Sequence, residues 1–229
     1  MPSSHVLREL DAEIAKRSIL RHPFYQAWER GELTREDLAT YARVYYPHVR
    51  AFPGYLEAAL AHAEDPAVRA ELRDNLADEL GNPAPHDALW LDFAAAMGAD
   101  PEQVRGAPAH PAARAIVSTF EDLARASLAT GVAALYAYES QQPGVSRTKL
   151  EGLRACYGVS DPAALAYFEV HEEADVRHRQ GERDALAACL EAGVRPEVVH
   201  AAAGRALDAY WGLLDGVAKE IGLGAQTLA

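Results

Sequence analysis

Cysteine is scarce in this chain, which has Cys156 and Cys189 among its 229 residues. Two cysteines are too few for a disulfide framework, and neither has a candidate base beside it in the sequence. We therefore expect ordinary thiols at both positions, with packing rather than redox or nucleophilic roles.

Long apolar runs and an excess of positive charge are also missing. No run of about 18 apolar residues occurs, so no transmembrane helix is predicted. The first residues lack the basic and then apolar pattern of a signal peptide, which favours a cytoplasmic protein. The net charge of −12 argues against nucleic acid and anionic membrane as partners, because both repel an acidic surface. Composition indicates no specific protein partner and leaves a homodimer open.

Lysine is also scarce, with three lysines against nineteen arginines. Arginine replaces lysine freely on surfaces, but only lysine can lose its proton and act as an amine nucleophile. Lys149 is of interest for this reason, whereas Lys16 and Lys219 fall in amphipathic, solvated segments near the ends.

Helical periodicity runs through almost the whole chain, and no stretch of alternating β-branched residues indicates a strand. We predict an all-α, single-domain protein over residues 1–229, with no linker or repeat. The predicted helices span 5–19, 23–30, 35–63, 66–80, 86–97, 111–141, 146–157, 161–192 and 196–220.

Several helix boundaries follow from capping residues and prolines. Thr34 and Asp161 are predicted N-caps, the latter before a proline in the first helical turn. Pro47 and Pro53 are predicted to kink the third helix. Pro143 and the following glycine are predicted to end the helix over 111–141.

The first candidate metal site lies in one helix, where His171, Asp175 and His178 follow at i, i+4 and i+7. Their side chains fall within about 60° of one another on the helix surface, so they can bind one metal. Two imidazoles and a carboxylate suit iron, manganese or zinc. The competing interpretation is a solvated helix face, since charged residues surround them: Glu172, Glu173, Arg177, Arg179, Glu182 and Arg183.

A second cluster supports the metal interpretation. Glu79 and His86 flank a break made by Gly81, Pro83 and Pro85, and both can still point to one centre. Glu139 ends a long apolar stretch of small residues, where a buried carboxylate is costly unless a cation compensates it. Alternatively, Glu139 reaches water at its helix end.

Tyrosines accompany these candidates. Tyr41 belongs to a cluster in the first quarter of the chain, and Tyr138 directly precedes Glu139. Tyr167 precedes His171 by one helical turn, so its ring is predicted on the same side as the imidazole. Core packing alone also accounts for tyrosines at helical spacing.

The combined pattern, Glu-x6-His, a distant Glu and His-x3-Asp-x2-His, resembles that of haem-oxygenase-like di-iron oxidases. Thiaminase-like and pyrroloquinoline-quinone-synthase-like proteins belong to the same larger family. Stretches at 22–25, 31–38, 45–46 and 51–56 further resemble the subgroup of the chlamydial protein associating with death domains and its p-aminobenzoate-forming bacterial relatives. The resemblance implies a haem-oxygenase-like helical bundle with two metal ions, Fe/Fe or Fe/Mn. The implied ligands are Glu79, His86, Glu139, His171, Asp175 and His178.

The resemblance also implies a reaction, the oxygen-dependent formation of p-aminobenzoate for folate biosynthesis from the protein's own tyrosine. By position, Tyr25 matches the ring source and Lys149 the amino donor. Tyr41, Tyr138 and Tyr167 match phenols that relay radicals. Dioxygen and an external reductant are the implied co-substrates.

Two alternatives stay open at this point. One is a di-iron oxidase that turns over a diffusible amino acid or fatty acid many times, rather than reacting once per chain. The other is a protein-interaction module, although the chain has no isolated amphipathic segment that would specify a partner.

Overall fold

The computed structural model describes residues 2–81 and 84–223, and within these ranges the chain is all-helical, without a strand. A short 3-10 turn over Ile19–Arg21 joins the first two helices. The helices are α1 (Ser3–Lys16), α2 (Pro23–Glu29), α3 (Arg35–Leu60), α4 (Pro66–Gly81), α5 (His86–Ala96), α6 (Pro101–Gly106), α7 (Pro111–Ala126), α8 (Leu128–Glu139), α9 (Gln142–Ala155), α10 (Pro162–Glu191) and α11 (Pro196–Glu220).

The predicted helix caps are confirmed. Thr34 accepts a hydrogen bond from the backbone of Asp37, whose carboxylate accepts one from the Thr34 backbone in return, so α3 begins with a capping box. Asp161 caps α10 by accepting from the backbone N–H of Ala163. α3 runs through both Pro47 and Pro53, and the kinks expected there stay a prediction.

Several predicted helix boundaries differ from the structure. The segment 111–141 forms two helices, because Ser127 adopts an extended backbone (φ −170°, ψ 164°) and its hydroxyl caps α8 through Thr130. Pro143 does not separate helices but lies in the first turn of α9, where its missing N–H donor costs nothing. The first helix ends at Lys16 rather than at 19, and the sequence prediction missed α6.

The helix α4 ends at Gly81, as the break in the sequence predicts, and α5 begins at His86. Asn82 and Pro83, which belong to this predicted break, lie outside the described residues. Glu79 and His86 enter the same interior space from two different helices.

The longest helix, α10, forms the centre of the functional region. It packs against α4, α5, α8 and α9, and α3 also packs against α4, α5 and α8. None of the helices in the described ranges is both long and apolar enough to cross a bilayer.

One glycine sets how closely α2 and α9 approach. A Cβ on Gly152 would lie 2.6 Å from the indole of Trp28, so a larger residue would force the indole away. The same indole donates a hydrogen bond to the carbonyl of Lys149. Gly152 therefore helps to fix the helix turn that presents Lys149 to the core.

Candidate metal centre

Two groups of three buried side chains lie inside the helical bundle, counted over residues 2–81 and 84–223. In each group, one potential ligand atom per residue lies within 4.8 Å of the others. The structure brings together all six residues that the sequence analysis selected, and each is buried. The first group is Glu79, His86 and His171, and the second group is Glu139, Asp175 and His178.

In the first group, two imidazoles face one carboxylate. Nδ1 of His86 lies 3.1 Å and Nε2 of His171 lies 3.7 Å from Oε1 of Glu79. The other ring nitrogen of His171 donates to the backbone carbonyl of Tyr167 at 2.6 Å, which leaves Nε2 available to bind a metal. Burial raises the pKa of Glu79, but its interactions with His171 and His86 outweigh burial and lower the pKa to about 2.

In the second group, one imidazole faces two carboxylates. Nδ1 of His178 lies 3.4 Å from Oδ1 of Asp175 and 3.8 Å from Oε1 of Glu139. Nε2 of His178 pairs with Asp78 at 3.1 Å, so Nδ1 is the nitrogen that faces the group. Burial lowers the pKa of His178, but Asp175, Glu139 and Asp78 together raise it to about 9.

The sequence analysis missed a residue that orients Glu139. Asn75 donates hydrogen bonds to both carboxylate oxygens of Glu139, each at 3.1 Å. Asn75 lies one turn before Glu79 on α4, and this i, i+4 spacing is the signal that would have placed it on the inner face.

Glu182 was interpreted as part of a wet helix face, and this interpretation is wrong. Its side chain is 3% exposed and lies beside Glu139. Burial raises the pKa of Glu182 well above its usual value, and the neighbouring Glu139 raises it further. In contrast, Glu173 is exposed and Glu172 pairs with Arg147 near the surface, as expected.

Unpartnered polar atoms show that these residues fit a metal centre. Among the buried polar atoms without a hydrogen-bond partner in the described part of the chain, six belong to these groups and to Glu182: both ring nitrogens of His86, Oδ2 of Asp175, Nδ1 of His178 and both oxygens of Glu182. Buried polar atoms normally have partners, and here the unpartnered ones converge. Imidazole and carboxylate donors of this kind suit iron and manganese.

A continuous row of aromatic rings leads away from the first group. Tyr167 stacks on His171 with ring centres 4.1 Å apart, which confirms the predicted placement. Trp90 lies 4.8 Å from Tyr167, and Tyr45 stacks on Trp90 at 4.9 Å. Tyr41 lies 5.2 Å from Tyr45. Trp90 and Tyr45, which complete the row, were not among the predicted site residues.

Tyr138 joins this row from the side of the second group. Its hydroxyl lies 2.7 Å from that of Tyr45, and its ring lies 4.9 Å from Tyr210 of α11. Tyr210 accepts a hydrogen bond from Gln142 and was also missed in the sequence, since it lies far along the chain.

Lys149 lies alongside the aromatic row, next to Trp90, Tyr45 and Tyr41. Its side chain is 1% exposed, and Nζ lies between 5.1 and 5.6 Å from the centres of surrounding rings. Burial lowers the pKa of Lys149 well below its usual value, which favours the neutral amine. The rings are Tyr25, Tyr41, Tyr45, Trp90 and Phe168.

A narrow cavity connects the metal groups with the phenols. Tyr138 and Tyr167 line it together with Val49, Phe52 and four of the ligand residues. Its free volume is about 10 Å³, which is the space of about one water molecule.

Comparison with known proteins gives the family. Residues 39–211 match a family described as iron-containing redox enzymes. The 4-aminobenzoate synthase of Chlamydia muridarum is 46% identical over 182 residues, which cover 79% of this chain and 77% of that protein. The 4-aminobenzoate synthase of Nitrosomonas europaea is 37% identical over 227 residues, with 95% and 92% coverage. A pyrroloquinoline-quinone synthase of Xanthomonas campestris is 31% identical over 153 residues, with 65% and 61% coverage.

Solved structures share the fold. A TenA homolog from Pseudomonas syringae superposes with a TM-score of 0.81 at 18% identity, covering 96% of each chain. A domain with a heme oxygenase-like fold from Shewanella denitrificans gives a TM-score of 0.78 at 17% identity, covering 100% of this chain and 97% of the other. The chain therefore belongs to the iron-containing redox enzymes with a haem-oxygenase-like helical fold, and it is an oxidoreductase.

Proposed function

We propose that this enzyme forms p-aminobenzoate in an oxygen-dependent reaction that consumes its own Tyr25 and Lys149. The observation that carries the proposal is the burial of the Lys149 amine among three tyrosine rings, 5.2 to 5.5 Å from their centres. The names of the relatives in Chlamydia and Nitrosomonas support the product.

The two groups of ligands support a dinuclear centre. Two metal ions, Fe/Fe or Fe/Mn, held by the first and second groups would supply redox chemistry with dioxygen and an external reductant. Zinc has no redox chemistry and would not serve. The six ligands proposed are Glu79, His86, Glu139, His171, Asp175 and His178.

The size of the cavity supports an internal substrate over a diffusible one. Pockets for small-molecule ligands usually measure about 300–1,000 Å³. The cavity at the metal groups has about 10 Å³, which leaves no room for an amino acid or a fatty acid beside the phenols. Dioxygen is of a size that this space suits.

The residues around Lys149 divide into reacting and relaying phenols. Over the described residues, the hydroxyls of Tyr25 and Tyr41 have no hydrogen-bond partner, whereas that of Tyr45 pairs with Tyr138. Tyr45 and Tyr138 are therefore suited to pass a proton or an electron, as are Tyr41 and Tyr167 by their place in the row. Geometry alone leaves Tyr25 and Tyr41 as ring sources, and the resemblance to the p-aminobenzoate-forming subgroup favours Tyr25.

The product defines which bonds change. A tyrosine ring with its Cβ supplies the carbon skeleton of p-aminobenzoate, so the Cα–Cβ bond breaks. Cβ is oxidised to the carboxylate with oxygen from dioxygen, and Cα takes a hydrogen, which leaves a glycine residue in the chain. Nζ of Lys149 forms a bond to the ring carbon that carries the phenol oxygen, which leaves as water. A two-electron oxidation then turns the Nζ–Cε bond into an imine, and hydrolysis of the imine releases the arylamine and leaves an aldehyde at Lys149. Dioxygen accepts the electrons that these oxidations release. The external reductant supplies the remaining electrons that are needed to reduce dioxygen to water.

Isotope labelling tests the proposal. Protein labelled on tyrosine rings and on the lysine side-chain nitrogen should yield doubly labelled p-aminobenzoate after reduced iron, reductant and dioxygen are added. Mass spectrometry of the chain should locate the loss at Tyr25 and Lys149. Tyr25→Phe should abolish the product, Tyr41→Phe should reduce it, and Tyr46→Phe, whose hydroxyl instead faces Asp87, is the matched control.

Two results would contradict the proposal. Unlabelled product, or wild-type yield from Tyr25→Phe and Lys149→Arg, would favour an oxidase acting on a diffusible substrate. A biological activity that survives the loss of all six ligands would favour an interaction module.

A further inference from the structure

Glu182 is a buried carboxyl group that the six-ligand centre does not use. It is 3% exposed, and neither of its oxygens has a hydrogen-bond partner within residues 2–81 and 84–223. An unpaired buried carboxylate costs several kcal/mol in general, so its presence needs a compensating group.

The helix places Glu182 on the same stripe as the ligands. Residues 171, 175, 178 and 182 follow one another at spacings of four, three and four, which are the spacings of one helix face. About three turns separate Glu182 from His171, and the two side chains point within about 20° of each other. Glu182 thus extends the ligand stripe by one more turn.

The neighbours of Glu182 belong to the second group. Glu139 of α8 lies beside it, and Asp175 is close enough to repel its charge. Three buried acids in one space repel one another, whereas His178 faces two of them and His171 interacts with Asp175 while it also pairs with Glu79. The excess of negative charge calls for a cation.

We propose that Glu182 is a seventh metal ligand, a third carboxylate for the ion bound by Glu139, Asp175 and His178. This inference rests on the dinuclear centre of the proposed function, and it adds a residue to that centre. The carboxylate binds the ion of the second group directly.

The seventh ligand makes the two metal positions chemically different. The first group offers two imidazoles and one carboxylate, whereas the second group with Glu182 offers one imidazole and three carboxylates. Carboxylates suit hard ions such as manganese, and imidazole suits iron. The second position therefore stabilises a hard or highly charged ion more than the first position does.

A metal titration tests this role without relying on product formation. Wild-type protein and Glu182→Gln would be titrated anaerobically with Fe(II) against a chromogenic chelator. We expect two ions in the wild type, and in the variant one ion of unchanged affinity and one weakened roughly 10-fold or more. Glu173→Gln, an exposed change on the same helix, is the matched control and should bind as the wild type does.

Two further measurements keep the test independent of misfolding. The thermal unfolding temperature of metal-free Glu182→Gln should be equal to or above that of the metal-free wild type, because the change removes a buried unpaired carboxyl group. Glu182→Asp keeps the carboxylate but withdraws it by one methylene, and it should also weaken the second ion.

The outcomes separate this inference from the proposed function. If the wild type binds two ions and Glu182→Gln binds both with unchanged affinity, Glu182 is not a ligand and the dinuclear centre stands. If the wild type binds only one ion, the dinuclear centre and the seventh ligand fall together. A lower affinity for one ion in both Glu182 variants, with both affinities unchanged in Glu173→Gln, supports Glu182 as the seventh ligand.

Discussion

The metal groups and the pocket around Lys149 both contain buried ionisable side chains, but the charge state that burial favours differs between them. The metal groups gather buried carboxylates and imidazoles whose charges call for a cation. The pocket around Lys149 holds a single ionisable amine among aromatic rings, and burial there favours the uncharged form. The comparison teaches that one core keeps one region charged, as metal binding would require, and the other neutral, as nucleophilic attack by an amine would require.

Removing one imidazole from the charged region should have the largest effect, which is a loss of metal affinity. His171→Ala deletes the nitrogen that faces Glu79 and should lower the metal affinity of the first position by more than roughly 100-fold. Even residues that only hydrogen-bond to a metal ligand change metal affinity by about 10–100-fold. Metal content after gel filtration measures this. Glu172→Ala, one position away and paired with Arg147 near the surface, is the control. Full metal content in His171→Ala would contradict the assignment.

Removing the amine should affect only the neutral region. Lys149→Met should abolish p-aminobenzoate while both metal ions stay bound, because no ligand residue changes. The variant should also be more stable by about 1–3 kcal/mol, since a thioether replaces a buried amine. Chemical unfolding and product analysis measure the two effects. A variant that loses metal together with product would show that the two regions are not separate.

A smaller effect is expected where the two regions meet. Tyr45→Phe removes the hydrogen bond to Tyr138 and leaves a buried hydroxyl unpaired, at a cost of about 1–3 kcal/mol. Product yield should fall while metal content and the burial of Lys149 are kept. Tyr46→Phe on the same helix is the control. Unchanged yield in Tyr45→Phe would remove Tyr45 from the relay.

The smallest expected effect is a pH dependence of stability. Because burial lowers the pKa of Lys149 in the folded state, the unfolded chain binds more protons between that pKa and about 10.4. Raising the pH through this window should therefore stabilise the wild type relative to Lys149→Met, by at most about 1.4 kcal/mol per pH unit. Parallel stability curves for the two proteins would mean that the amine is charged when folded.

Local spacing was sufficient to select much of the site. His171, Asp175 and His178 lie on one helix, so their convergence follows from helix geometry alone. The helix break selected Glu79 and His86, and the cost of a buried carboxylate selected Glu139. The family resemblance joined these residues to the first three in one centre, since they lie on separate helices whose packing no local pattern specifies.

The missed residues show what local patterns do not contain. Glu182 continues the ligand stripe, but the arginines around it indicated a solvated face, and only the packing of α8 against α10 buries it. The break at Ser127 depends on one extended residue inside an apolar helical run. Tyr210 contacts Tyr138 from α11, far along the chain. The residues next to Tyr210 in the sequence therefore do not indicate this contact.

The position of Trp90 gives the buried row of aromatic rings an optical signal. Its indole N–H donates to the carbonyl of Ala42 at 2.8 Å, and its ring lies between Tyr45 and Tyr167. Tyrosines this close transfer excitation energy to an indole. The fluorescence of Trp90 therefore depends on the chemical state of the two phenols beside it, and it reports from inside the core without any added label.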